Sequence, residues 1–143
     1  MTDRSLPLAP VPGAILEASL YAQDLDSARI FYGGVLGLTE VVYAEGRHVF
    51  YRIGPTILLI FNSDATAQGS TDPAMPVPGH GAHGPGHLCL SATPDQIDTW
   101  RTRLIATGHQ IDADFQWPNG ARSLYVRDPA ENSLEFAEPR LWG

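Results

Sequence analysis

One cysteine, Cys89, stands in 143 residues. A lone thiol excludes an internal disulfide framework and suits a reducing compartment, so the chain is expected in the cytoplasm. Long hydrophobic runs are lacking too. The longest aliphatic stretch, ILLIF at 57–61, has a strand's length and is far too short to span a bilayer. The opening MTDRSLPLAPVPG has no apolar h-region, so no signal peptide is expected. Basic side chains are few, 9 against 16 acids, for a formal net charge of −7. That balance argues against nucleic acid and membrane as partners and leaves a small molecule as the expected one.

What is present is a globular composition. Apolar residues make up 43% and charged ones 17%, in a length that holds a single domain, 1–143, with a core of its own. The first dozen residues, rich in proline, read as an extended arm. ILEASLYA then alternates, with Glu17, Ser19 and Tyr21 on one face and Ala18, Leu20 and Ala22 on the other, which predicts a strand. DLDSARIFYGGVLGL predicts a helix with Asp24 as N-cap, weakened by Gly33 and Gly34 and stopped at Gly37. VVYAE, HVFYRI and TILLIFN follow as strands. Residues 63–86 form a polar, Gly/Pro-rich connection, longer than most loops.

The same order then returns. HLCLSA predicts a strand that shows His87, Cys89 and Ser91 together, and Thr93-Pro94-Asp95-Gln96 is a capping box opening a helix. Gly108 ends that helix, and QIDADFQW, ARSLYVR and SLEFAE supply three more strands. Glu17 and His87 open their halves about 70 residues apart. The chain therefore reads as two βαβββ modules, 14–62 and 87–138, joined by the 63–86 loop and followed by a tail, 139–143.

With that duplication, the chain resembles the vicinal oxygen chelate superfamily of glyoxalases, bleomycin-resistance proteins and extradiol dioxygenases. YAQDLDSARIFYGGVLGL, GPGHLCLSA, DTWRTRLIATGH and GARSLYVRDPAENSLEF carry the resemblance. It implies an α+β fold in which two tandem modules form a curved mixed sheet around a cavity. It further implies metal ligands on the first and last strands of each module: Glu17, His87 and Glu135, with the fourth position falling at Leu59 or Phe61, both apolar. The four-ligand glyoxalase I pattern is thus incomplete. Glutamate at position 17, where many relatives carry histidine, makes the set harder and favours Mn²⁺ or Fe²⁺, with Zn²⁺, Ni²⁺ and Mg²⁺ open.

Each residue also has a plainer reading. Glu17 could form a salt bridge with an arginine, Glu135 could be a solvated strand carboxylate, and His87 could pack at a strand start. His80 and His83 cannot share a helix with His87, because glycines and Pro85 interrupt the segment. They read as exposed loop histidines, or as a cavity rim that carries protons or touches substrate. Cys89 reads as a small buried hydrophobe, and Arg127 as a partner of the adjacent Asp128. Tyr125, Phe50 and His48 are candidates to line the cup, Tyr125 also as a catalytic group. Phe31 and Tyr32 read as core. Trp142 reads as a cover for a pocket or subunit seam, or as a surface anchor.

Two functions follow as expectations. The first is a divalent-metal enzyme acting on a small molecule with two neighbouring oxygens, by lyase, isomerase or dioxygenase chemistry. The second is a metal-free binder of the bleomycin-resistance type, with an aromatic trap and acids attracting a cationic ligand. A homodimer is what the resemblance implies for either.

Overall fold

The computed structural model describes residues 5–143; the first four residues of the arm lie outside it. The described part of the arm, through Leu16, is exposed. Module one runs β1 (Glu17–Tyr21), α1 (Leu25–Arg29), β2 (Thr39–Ala44), β3 (His48–Ile53) and β4 (Thr56–Phe61). Module two repeats it as β5 (His87–Ser91), α3 (Pro94–Ala106), β6 (Ile111–Gln116), β7 (Arg122–Arg127) and β8 (Ser133–Ala137). One helical turn, α2 (Ser63–Thr66), opens the connection, with the Asn62 side chain capping it. The chain closes on a 3₁₀ turn over Pro139–Trp142, where Trp142 is 92% exposed and, among the described residues, closes no pocket of this chain.

Each module makes its own four-stranded mixed sheet, ordered β1-β4-β3-β2 and β5-β8-β7-β6, and neither is closed. The first and last strands of each module pair in parallel and the other pairs are antiparallel. Both modules carry a bulge in the outer strand, at Val41 between Glu40 and Val42 and at Asp112 between Ile111 and Ala113. An extra residue there re-aims one side chain and twists the edge.

Local chemistry sets the helices. Asp24 accepts from the Ser27 amide at 3.0 Å, and Thr93 and Gln96 close a capping box at α3. The single helix expected from 24 onward is in fact α-helical only to Arg29. From Ile30 to Val35 it is π-helical, with the Leu36 amide donating to the Phe31 carbonyl at 2.9 Å. Gly33 and Gly34 hold the α-helix weakly there, and the wider turn lets both Phe31 and Tyr32 bury.

One core serves both modules. Leu20, Phe31, Tyr51 and Ile60 from the first pack in a single cluster with Ile97, Leu104, Leu124 and Phe136 from the second. Polar contacts cross the same seam: Tyr32 donates to Asp128 at 2.6 Å, and Arg103 donates to the Val35 carbonyl at 2.6 Å. Asn132 joins three segments, accepting from the Gly86 amide at 2.7 Å and donating to Asp128 and the Tyr21 carbonyl. The Asp128–Asn132 turn thus fixes the start of β5. Arg127 does not pair with Asp128, which faces inward; it binds Asp112 at 2.9 Å.

Candidate functional site

Inward-facing residues on each strand go to the shared core, so the alternate residues form two open faces. Their registers match row by row. Across β1-β4-β3 the rows are Glu17/Ile57/Arg52, Ser19/Leu59/Phe50 and Tyr21/Phe61/His48. Across β5-β8-β7 they are His87/Ser133/Arg127, Cys89/Glu135/Tyr125 and Ser91/Ala137/Ser123. Leu59, rather than Phe61, is therefore the module-one counterpart of Glu135.

His87 and Glu135 come together. His87 Nε2 lies 3.3 Å from Glu135 Oε1, and His87 Nδ1 lies 2.9 Å from the Ser133 carbonyl. A carbonyl can only accept, so Nδ1 donates to it, and this bond turns Nε2 toward the carboxylate. The other carboxylate oxygen is also fixed. Trp117 Nε1 donates to Ser123 Oγ at 2.7 Å, which commits the Ser123 proton to Glu135 Oε2 at 2.5 Å. Glu135 is buried at 5% exposure while His87 is open to solvent on one side. The Tyr125 ring stacks at 6.2 Å from His87 and then against Phe115.

Two groups beside Glu135 stay protonated near neutrality. Desolvation first, then Glu135, pushes the Tyr125 phenol up to about 12, and the Cys89 thiol is pushed to about 12 in the same order. Tyr125 thus keeps its hydroxyl proton there as a hydrogen-bond donor, and Cys89 is not a thiolate nucleophile. Cys89 is also exposed, unlike the buried residue expected, because β5 shows 87, 89 and 91 outward.

Two ligands of one divalent ion stand roughly 3 Å apart when each lies about 2.1 Å from it at right angles. The spacing of His87 and Glu135 and the orientation of the ring suit that role. Glu17 is not with them: it is exposed on the other sheet, and among the described residues no three His, Cys, Asp or Glu side chains gather closely enough to hold an ion.

The other histidines separate as well. His80 is half-buried against the module-one face, with Nδ1 2.8 Å from the Tyr21 hydroxyl and its ring edge-on to Phe61 at 4.6 Å. Thr66 anchors it from both sides, accepting from the His80 amide at its carbonyl and donating to the His80 carbonyl at 2.7 Å. His83 is exposed, 3.9 Å from Asp64, and lines a 590 Å³ open cleft at the module seam with Asp24, Ser27 and Glu131. That cleft includes neither His87 nor Glu135. His48 stacks on Phe50 at 4.2 Å, and desolvation lowers its pKa, so it is neutral. The Trp117–Ser123 relay was not foreseen from sequence; Trp117 lies past the end of β6, and only the turn brings its indole to Ser123.

Comparison with known proteins agrees with this architecture. The model of the Glyoxalase/Bleomycin resistance protein/Dioxygenase superfamily matches residues 14–136. The solved structure of lactoylglutathione lyase from Agrobacterium tumefaciens is 42% identical, with a TM-score of 0.87 over 93% of this chain and 98% of that one. A glyoxalase/dioxygenase from Nostoc punctiforme is 23% identical at a TM-score of 0.66, over 93% and 97% of the two chains. A glyoxalase/bleomycin resistance protein/dioxygenase from Nocardioides is 21% identical at 0.69, over 92% and 86%. The last two show the fold alone. No curated protein matches the chain. Among the described residues, no helix is long and apolar enough to cross a membrane.

Proposed function

Because the chain belongs to the Glyoxalase/Bleomycin resistance protein/Dioxygenase superfamily, we propose that it is a glyoxalase-type, divalent-metal-dependent enzyme. Its substrate is a small molecule with two neighbouring oxygens. The observation that carries this reading is His87 Nε2 facing Glu135 Oε1 at 3.3 Å, with the ring oriented by its Nδ1 bond to the Ser133 carbonyl. The 42% identical relative, a lactoylglutathione lyase, supports lyase-type chemistry.

His87 and Glu135 would hold the ion, which is Mn, Fe, Zn or Ni. When bound, it supplies Lewis acidity to oxygens that gain charge in the transition state. Glu17, exposed on the other sheet, would serve as a third donor only where a second copy brought it beside His87 and Glu135. The chain's own groups do the rest. Ser123 and Trp117 hold Glu135 in place. Tyr125, protonated beside it, would donate a hydrogen bond to a substrate oxygen. His80, seated on Tyr21 and Phe61, is the better-positioned proton carrier of the two loop histidines.

The test is metal analysis of protein purified without chelator. Stoichiometric metal in the wild type, lost in His87→Ala and Glu135→Gln, supports the reading. Glu17→Gln should weaken metal binding only where sedimentation shows a dimer. If the wild type carries no metal and added Mn²⁺, Fe²⁺, Ni²⁺ or Zn²⁺ leaves its Tm unchanged, the metal-free binder takes its place.

A further inference from the structure

We propose that Arg52 is an anion receptor on the open face of module one, and that it selects substrates carrying a carboxylate on a flat, apolar body. The proposal rests on the glyoxalase-type reading for the reaction, while the binding preference stands on observations of its own.

The chain has no lysine, so its 9 basic side chains are all arginines. Of those described, every one except Arg52 has a hydrogen bond or ion pair: Arg29 with Glu40, Arg47 with the Ala65 carbonyl, and Arg101 and Arg122 with Asp114. Arg103 binds main-chain carbonyls, Arg127 binds Asp112, and Arg140 binds Glu138. Arg52 is exposed and free in a chain of net charge −7.

The duplicated fold explains why. Arg52 and Arg127 occupy matching positions, opposite Ile57 and Ser133. In module two the bulge residue is Asp112, which binds Arg127 Nε at 2.9 Å. In module one the bulge residue at the same place is Val41, 43% exposed. The neighbouring acid, Glu40, is already held by Arg29 at 2.7 Å. One arginine of the pair is neutralised and the other is left with its fork of donors unspent, the geometry that a carboxylate fits bidentately.

The surroundings add the rest of the ligand. Phe50, half-buried, precedes Arg52 by two residues on the same face of β3, and Leu59 and Phe61 continue the apolar floor. Glu17 stands in Arg52's cross-strand row, two strands away, roughly 10 Å between backbones, and the two form no ion pair. A substrate whose carboxylate lies on Arg52 would rest its body on Ile57 and Phe50 and present its paired oxygens toward Glu17.

Binding of 2-naphthoate and its neutral isostere 2-naphthamide to the full chain, by calorimetry, tests this. The wild type should prefer the acid roughly tenfold, the scale of one charge-assisted pair. Arg52→Gln should reduce that preference to less than about twofold, with metal content unchanged. Val41→Asp should do the same by giving Arg52 the partner that Arg127 has. Equal binding of acid and amide by the wild type, or a preference that survives in either variant, overturns the proposal. Displacement of 2-naphthoate by equimolar inorganic phosphate would overturn the commitment to a flat organic acid. Metal content measured on the same preparations keeps the two readings apart. A preference for the acid without bound metal supports this site and removes the metal reading alone.

Discussion

The Tyr32 hydroxyl donates to Asp128 Oδ2 over 2.6 Å, and neither residue is more than 3% exposed. Tyr32 belongs to the π-helical turn of module one and Asp128 to the turn before β8, so the bond closes the seam inside the core. Asp128 also accepts from the amides of Ala130 and Asn132 and from the Asn132 side chain. Its carboxylate is well supplied with donors, and Tyr32 provides the one that comes from the other module.

Removing that donor should loosen the seam. Tyr32→Phe is expected to lower stability by about 1–3 kcal/mol, since a buried carboxylate oxygen loses a partner. The urea midpoint should fall with little change in the m-value. A variant as stable as the wild type would show that the Ala130 and Asn132 donors satisfy Asp128 without Tyr32.

Ser123 should matter to metal binding more than to folding. Ser123→Ala frees Glu135 Oε2 and leaves the Trp117 indole without its acceptor. Metal affinity is expected to fall roughly tenfold to a hundredfold, the usual scale for a group that orients a ligand. Calorimetric metal titration measures this, with circular dichroism reporting the fold. Unchanged affinity would remove Ser123 as a positioning residue.

Cys89 should label slowly although it is exposed. A thiol pushed to about 12 has far less thiolate at pH 8 than an ordinary cysteine. Iodoacetamide labelling followed by mass spectrometry should run at least about tenfold slower than in the urea-unfolded chain. Glu135→Gln removes the negative charge beside the thiol, lowers its pKa and should speed labelling. A rate indifferent to Glu135 would contradict that coupling.

Acid should weaken the α3–β6–β7 corner. Hydrogen bonds from Arg122, foremost, and the charges of Arg122 and Arg101 hold Asp114 below the usual carboxylate range. Its folded pKa is depressed, so its stabilisation is present above the unfolded value of about 3.9 and is lost as pH falls through the folded one. Asp114→Asn should therefore cost about 0.5–1 kcal/mol at pH 7. Urea unfolding should show the gap closing below about pH 4. A gap that persists undiminished at pH 2 would mean that Asp114 acts by packing.

Much of the fold was legible because the sequence writes it twice. Alternation, apolar runs and the turns between them located all eight strands, and the Asp24 and Thr93 caps located both main helices. Strand parity set residues 17, 87 and 135 on the face away from the core, while their selection as a ligand set came from the family resemblance. The π-helical turn was not, because the slip at Ile30 is decided by what Phe31 and Tyr32 pack against. Nor was the seat of His80. It depends on Gly69 and Gly79, where the backbones cross so closely that a Cβ on Gly79 would run into the Ala67 carbonyl. The pairing of Arg127 was missed because a bulge, invisible in the pattern, turned Asp112 toward it.

The single core beneath both sheets gives the duplication a limit. Two like halves that share one interior are obligate partners, and neither half alone has a completed interior to fold around. A protease cutting once in the exposed 71–78 stretch should therefore leave two fragments that copurify and melt together. Separated by denaturant, each fragment should regain its structure only when the other is returned.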